Sequence, residues 1–464
     1  MPSKRIPHPP RRVPVLGDIF GMSMTKPMQR VVEISRELGP IYQRIILGKH
    51  LVFVSGPDIV AEVNDDTVWG KFVGRPLQQL RPLAGDGLFT AHDHEPNWEK
   101  AHNILMPGFT QAAMRGYHST MLDTALELID NWDRASEPLD VSDEMSKLTL
   151  ETIGRAGFGY RFNALTQQDE DPFVTAMLRA LEFAQHGGFA IPGGELLNRR
   201  KARQNRADID YLSGVVRDVI ATRRAGTNPQ GDDLLTLMLD GIDEDSGESL
   251  DEDNIIRQVL TFLVAGHETS SGALSFALWL LATHPEVLAR ARDEVDGMWP
   301  GADVPDVQFE QVAKLRYLRR VLDETLRLWP TAPGYFRQAK QDTTLGGYEF
   351  DKGDWVLVAV IQLHRDPTVW TDPETFDPDR FLPENIRARP AHAYRPFGTG
   401  MRACIGRQFA VHEIVMALAL LVHRYDFTVE PGYELDVREQ LTMKPHGLRL
   451  TVKRRERSPA SVNS

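Results

Sequence analysis

The stretch F-G-T-G-M-R-A-C-I-G, residues 397 to 406, holds the only cysteine among 464 residues and stands directly before an apolar helical pattern from about Ile405 to Arg424. A lone cysteine forms neither an intramolecular disulfide nor a multi-cysteine zinc site, so chemistry at Cys404 must be that of a single thiolate. Such a thiolate is a nucleophile or the axial ligand of a haem iron. A nucleophile would want a partner base, and the sequence names none. Most solitary cysteines are small buried apolar residues, but the neighbours of this one suit a flat macrocycle. Gly400 and Gly406 permit positive φ and close backbone approach. Phe397 can cover the sulfur, and Arg402 can fork onto a propionate. The following helix would set unpaired N–H groups beside the sulfur and favour its ionised form.

Taken together, Phe397-x-x-Gly400-x-Arg402-x-Cys404-x-Gly406 resembles the haem-binding loop of the cytochrome P-450 monooxygenases. The resemblance implies a mainly α fold with small β-sheets, a long central helix over a haem b and the cysteine loop on the opposite face. Residues 1–453 would form one haem-thiolate monooxygenase domain, and 454–464 a tail or the start of a linker to a reductase.

Length and composition agree with a large enzyme. Length alone suggests about three domains, yet no internal linker breaks the chain, which leaves room for a single helical fold of this size. A net charge of −12 argues against a nucleic-acid partner. The N-terminal M-P-S-K-R-I-P-H-P-P-R-R-V-P-V-L-G is basic and proline-rich and lacks the apolar run of a signal peptide or membrane anchor, so a cytoplasmic protein is expected. Residues 40 to 55 read as a hairpin turning near Gly48 and Lys49. Helical patterns dominate from 95 to 330, interrupted by polar turns such as 225 to 232, and strands return in 334 to 362 and 425 to 453.

The longest helix pattern runs from about Asp251 to Thr283, close to 50 Å at 1.5 Å per residue. In its middle an apolar run meets Ala265, Gly266, His267, Glu268 and Thr269. A carboxylate and a hydroxyl there are costly unless satisfied. A threonine in that position often bonds its own turn. A-G-H-E-T-S also resembles the acid–alcohol pair of the family, with Glu268 and Thr269 managing protons for oxygen activation, and Gly266 would loosen the helix to admit water. Glu324 and Arg327 lie three apart on a helix ended by Pro330 and can pair. The family likeness adds Arg380, from F-D-P-D-R-F, as the third member of a structural network behind the cysteine loop, with Asp379 where relatives more often have Glu. Trp98 and His102, four apart on a helix, would donate to a propionate, although many relatives carry Arg where His102 stands. Lys71 joins them on the cofactor side.

A collinear series sharpens the likeness: A-G-D-G-L-F-T at 84 to 90, N-W-E-K-A-H-N-I-L-M-P at 97 to 107, L-R-L-W-P-T-A-P at 326 to 333 and L-H-R-D at 363 to 366. It is similar to the haem domain of bacterial self-sufficient flavocytochrome fatty-acid hydroxylases. That similarity implies hydroxylation of medium- to long-chain fatty acids at subterminal carbons, using O2 and electrons from NADPH through a diflavin reductase, fused or separate. FAD and FMN would sit in that reductase, since no G-x-G-x-x-G follows a strand here. By the same likeness Phe89 steers which carbon is oxidised, and Leu77, Leu80, Ala84, Val264, Ala265, Ala332 and Leu441 line an apolar channel. For Leu77 and Leu80 core packing is an equal reading. At the channel mouth relatives place Arg and Tyr, whereas Lys49 and Phe53 stand here. Lysine gives a point charge without a fork, and phenylalanine cannot donate. Arg44, where relatives have an aromatic, would restore a forked contact, so that Arg44 and Lys49 jointly hold a carboxylate. Other readings are a monooxygenase for another apolar substrate, a peroxygenase, and a non-catalytic haem-thiolate sensor. Against the peroxygenase stands the intact Glu268–Thr269 pair.

Overall fold

A computed structural model describes residues 5–21, 23, 25–166, 171–186, 195–226 and 233–456. The polar turn read at 225–232 lies outside them from residue 227 on, as does the tail from residue 457 on. The chain divides into two compact units: residues 1–74, 320–404 and 437–444 form one, and 75–319, 405–436 and 445–464 the other.

The first unit is built on period-two alternation. Strands Ile41–Ile46 and Lys49–Val54 pair antiparallel, with Ile41 opposite Val54, Tyr42 opposite Phe53 and Arg44 opposite Leu51. Successive side chains therefore leave on opposite faces. Ile41, Val52 and Val54 enter one apolar cluster with Val60, Val63 and Trp69. Tyr42 and Phe53 enter another with Val31 and Ile34 of the helix Pro27–Leu38. The turn is Leu47–Gly48, both at positive φ (49° and 75°), the geometry of a two-residue type I′ hairpin. The hairpin joins a five-stranded sheet in the order 41–46, 49–54, 355–359, 334–339, 69–71. Strands fall within 334–362 as read from the sequence, and a short helix, Val360–Leu363, closes that run.

The second unit is helical. Its central helix, Glu252–Thr283, is capped by Asp251, whose carboxylate accepts the Asn254 N–H at 2.8 Å. It is apolar on nearly every side because it is buried on nearly every side, packed on the helices Val141–Phe158 and Arg407–Arg424. The helix runs unbroken through Gly266, so the local loosening expected there is not seen. A Cβ at Gly266 would meet Ile153 at an ordinary 3.5 Å. Strands Leu139–Asp140, Tyr425–Val429 and Arg449–Arg454 make a small sheet beside these helices. Among the described residues no single helix is long and apolar enough to cross a membrane.

Candidate functional site

In the first unit the segment 394–404 is a loop tied down by backbone and side-chain hydrogen bonds. The Arg395 N–H donates to His364 Nε2 at 2.8 Å, and the Tyr394 hydroxyl donates to the Asp323 carbonyl at 2.9 Å. The Cys404 N–H donates to the Phe397 carbonyl at 2.9 Å, and the Ala403 N–H to Gly400 at 3.1 Å, closing the single 3₁₀ turn Gly400–Arg402. Cys404 is exposed at the end of this scaffold, while Phe397 and Arg402 are half-buried. Because a backbone N–H can only donate, His364 Nε2 accepts and Nδ1 carries the ring proton toward the Leu326 carbonyl, 3.3 Å away. Complete burial, together with the nearby Arg327 and Arg365 cations, pushes the His364 imidazolium pKa down to about 3. The ring therefore stays neutral and available as acceptor.

Gly400 has φ +68°, as the thiolate loop requires. Its close neighbour, however, is a carboxylate: a Cβ there would lie 2.3 Å from Asp66 Oδ2. Gly406 departs from expectation. Its φ is −81°, it serves as N-cap of Arg407–Arg424, and that helix begins two residues later than its apolar pattern suggested. Neither positive φ nor close approach explains this glycine, since a Cβ would meet only Phe109 at 3.9 Å.

Behind the loop, Arg327 and Glu324 are fully buried and paired in bidentate fashion, Nε to Oε2 at 2.6 Å and a terminal nitrogen to Oε1 at 2.8 Å. The remaining Arg327 N–H groups donate to the carbonyls of His364 (3.0 Å), Pro373 (2.7 Å) and Thr375 (3.0 Å). Burial pushes the Glu324 carboxyl up; Arg327, the Asp377 N–H and Arg380 oppose that shift. Arg380 Nε stands 3.4 Å from Glu324, and Asp379 accepts from Arg320 at 3.0 Å. Lys71, half-buried on the edge strand, pairs with Arg337 in register. Ala332 is exposed and Leu441 half-buried.

The hairpin gives a different answer from the one expected. Lys49 is exposed at the start of its strand. Phe53 is 8 % exposed and stacks on Tyr42 with ring centroids 5.0 Å apart, a core contact. Arg44 is 6 % exposed and donates to the carbonyls of Asp18 (2.6 Å) and Phe20 (3.5 Å), straps of its own N-terminal segment. The forked carboxylate contact assigned to Arg44 is thus replaced by an internal role, because alternation puts it on the same covered face as Tyr42 and Phe53.

In the second unit the central helix is buried at Val264, His267 and Glu268 and half-buried at Ala265, Gly266 and Thr269. The half-buried positions share one helical face. Thr269 Oγ1 donates to its own turn at Ala265 O, 2.8 Å away, and His267 Nε2 lies 3.3 Å from Glu268 Oε1. Thr149 of the neighbouring helix donates to the His267 carbonyl at 3.0 Å, tying this turn down. Trp98 and His102 stack with centroids 5.0 Å apart, on the helix Pro96–Leu105. Leu80 and Ala84 are buried, Leu77 is half-buried, and Phe89 is 36 % exposed on the turn that follows Arg75–Ala84. That turn is fixed by residues the sequence reading left out. Asp86 accepts from Asn97 (2.7 Å), Asn254 (3.1 Å) and Arg257 (2.9 Å), and the Leu88 N–H donates to Gln258 at 3.1 Å. Gly87 is obligatory, as a Cβ would stand 2.4 Å from Thr261 Oγ1. Its A-G-D-G-L-F-T context was the available signal.

A single exposed thiol on an over-determined loop, with a half-buried guanidinium two residues away, fits a haem-thiolate group. The family model described as cytochrome P450 matches residues 7–452. The chain belongs to the cytochrome P450 family. As such it is a haem-thiolate protein, with Cys404, its only cysteine, as the thiolate. It is 46 % identical to a bifunctional cytochrome P450/NADPH–P450 reductase of Bacillus subtilis (strain 168) over 94 % of the chain and 41 % of that protein. It is 43 % identical to a Bacillus cereus protein of the same description over 96 % and 42 %, and 38 % identical to a self-sufficient cytochrome P450 monooxygenase of Phanerodontia chrysosporium over 95 % and 42 %. The crystal structure of a cytochrome P450 (CYP102L1) superimposes with a TM-score of 0.91 at 46 % identity, covering 97 % of this chain and 99 % of that one. The P450 spans about two fifths of the length of the curated relatives it matches. Their reductase portions, where flavins belong, fall outside the matched residues.

Proposed function

We propose that this P450 is the haem-bearing part of a monooxygenase that hydroxylates medium- to long-chain fatty acids at subterminal carbons, using O2 and NADPH electrons relayed by a diflavin reductase. The observation that carries the oxygenase reading is the Ala265–Thr269 turn, where a carboxylate and a hydroxyl stand in a partly open turn at the middle of a largely buried helix. A haem bound through Cys404 supplies oxygen activation and C–H oxidation. The chain's own part is to hold and position. Arg402, Trp98, His102 and Lys71 offer donors to the propionates, and Phe397 shields the sulfur. Thr269 keeps a hydroxyl oriented by its bond to Ala265 and passes protons, with Glu268 as the neighbouring acid. Phe89, Leu77, Leu80, Ala84, Val264, Ala265, Ala332 and Leu441 offer apolar surface to an alkyl chain, and Lys49 offers the carboxylate a point charge.

Carboxylate recognition rests on Lys49 alone, because Arg44 and Phe53 are covered. That observation favours a second reading, a monooxygenase for a neutral apolar substrate. One experiment separates them. Haem-loaded protein receives NADPH and a diflavin reductase with saturated fatty acids of several lengths, or with the matching alcohols and alkanes, and products are identified by mass spectrometry. Hydroxy acids support the first reading. Hydroxylation of the neutral compounds alone supports the second, and turnover with hydrogen peroxide only would make the protein a peroxygenase. Thr269→Ala is expected to lower coupled product by about tenfold or more while NADPH consumption continues.

A further inference from the structure

Asp66 lies 338 residues before Cys404 in the chain, on the connection between the helix Pro57–Val63 and the strand Trp69–Lys71. It is a loop residue with no motif around it, and its carboxylate nonetheless meets the turn that presents the thiolate. Oδ2 accepts the Met401 N–H at 3.2 Å, and the same oxygen occupies the space that any side chain at Gly400 would need. Oδ1 accepts from Arg337 at 2.7 Å. Arg337 is 4 % exposed and threads the whole connection, with Nε donating to Val63 O at 3.0 Å and a terminal nitrogen to Trp69 O at 2.7 Å. Lys340 Nζ donates to the Asp66 carbonyl at 2.7 Å. Arg337 therefore fixes the carboxylate from behind, Lys340 holds the same residue through its backbone carbonyl, and the carboxylate in turn fixes the Met401 N–H inside the 3₁₀ turn Gly400–Arg402.

We propose that Asp66 is a positioning residue for the thiolate ligand, acting through the Met401 N–H and clamped by Arg337. The turn 400–402 carries Arg402 and leads directly into Cys404. Its far end is held by the Cys404 N–H to Phe397 O bond, and its near end by Asp66. A free N–H at Met401 lets the turn unwind, and the sulfur then loses its fixed direction. Arg337 sets the carboxylate's rotamer, and the pair works as a unit.

The inference rests on Cys404 as the iron ligand and not on any substrate, so its test uses the haem itself. Wild type, Asp66→Ala, Asp66→Asn, Arg337→Leu and the double variant Asp66→Ala/Arg337→Leu are compared for the lifetime of the thiolate-type carbon monoxide spectrum and for the ferric–ferrous potential. Asp66→Ala should shorten that lifetime about tenfold, as expected for losing a hydrogen bond to a charged acceptor. Asp66→Asn, which keeps an acceptor oxygen, should recover most of it, and the double variant should add little to Asp66→Ala. A wild-type lifetime and potential in Asp66→Ala overturns the proposal. So does a full additive loss in the double variant, or reduced haem content in Arg337→Leu with an unchanged Asp66→Ala, either of which means that Arg337 serves the cofactor by another route. A wild-type protein without any thiolate-type spectrum would instead refute Cys404 as ligand.

Discussion

The two regions of the first unit given functional tasks, the cysteine loop and the hairpin 41–54, are built by opposite rules. Behind the loop the central ion pair is buried and answered: Glu324 and Arg327 are fully covered, and three carbonyls accept the guanidinium's remaining N–H groups. On the hairpin the one exposed cation, Lys49, stands at the strand's first residue, while its better-equipped neighbour Arg44 is turned inward. Chemistry shared by a family tolerates no movement of the sulfur, so many groups over-determine the loop. Recognition that varies with substrate needs a surface where single changes leave the core alone, and an exposed hairpin tip supplies it.

If that contrast holds, the largest effect belongs behind the loop. Arg327→Met leaves Glu324 buried without its main partner and is expected to cost about 3–5 kcal/mol. Urea unfolding should show it as a lower midpoint at unchanged slope, together with poor haem retention. A loss under about 1 kcal/mol would mean that the network is not over-determined after all. Next comes the neutral ring at His364. Its folded pKa, about 3, lies below the ordinary histidine value, so the unfolded chain binds the extra proton first as pH falls. Stability is full above the unfolded pKa of about 6.5 and declines between that value and 3, by about 2 kcal/mol at pH 5. His364→Gln keeps an acceptor and a donor but does not titrate. Its unfolding free energy should fall by about 2 kcal/mol less than that of wild type between pH 7 and pH 5, and equal losses would show that His364 is protonated in the fold.

The same contrast explains what could be read from sequence. The cysteine loop, the Ala265–Thr269 turn and Glu324-x-x-Arg327 are contiguous or set at helical spacing, so residue type and period placed them. Asp66, Arg337 and His364 are common residue types whose partners lie far away in the chain, 335 residues for Asp66 and Met401, and only the folded backbone joins them. Arg44 misled for a related reason. Its chemistry suited an anchor, and strand alternation put it with Tyr42 and Phe53, but that this face is covered depends on Asp18 and Phe20 of a proline-rich N-terminal segment that carries no periodic signal. Gly406 resembled Gly400 in its motif and differs from it in backbone.

A smaller effect is expected at the tip. Leu47 is 66 % exposed at φ +49°, where a leucine is disfavoured by about 1 kcal/mol. Leu47→Asn makes the Asn-Gly pair that type I′ turns prefer, and should raise the thermal midpoint by a degree or two without altering fatty-acid affinity. If affinity drops instead, the leucine side chain belongs to the recognition surface and its strain is kept for that purpose.

The smallest expected effect decides the most about substrate. Lys49 is exposed and its ammonium would meet a carboxylate without a fork, so on the fatty-acid proposal Lys49→Ala should weaken dodecanoate binding by only about 0.5 kcal/mol, roughly twofold, and the difference should vanish as salt is raised. Dodecanol, equal in chain length and uncharged, separates the two things a lysine can contribute. If the variant loses affinity for the acid alone, the charge is read and the fatty-acid proposal gains its anchor. If acid and alcohol weaken together, the lysine acts through its aliphatic stem. The hairpin would then select for length and apolarity only, as a channel for neutral substrates would.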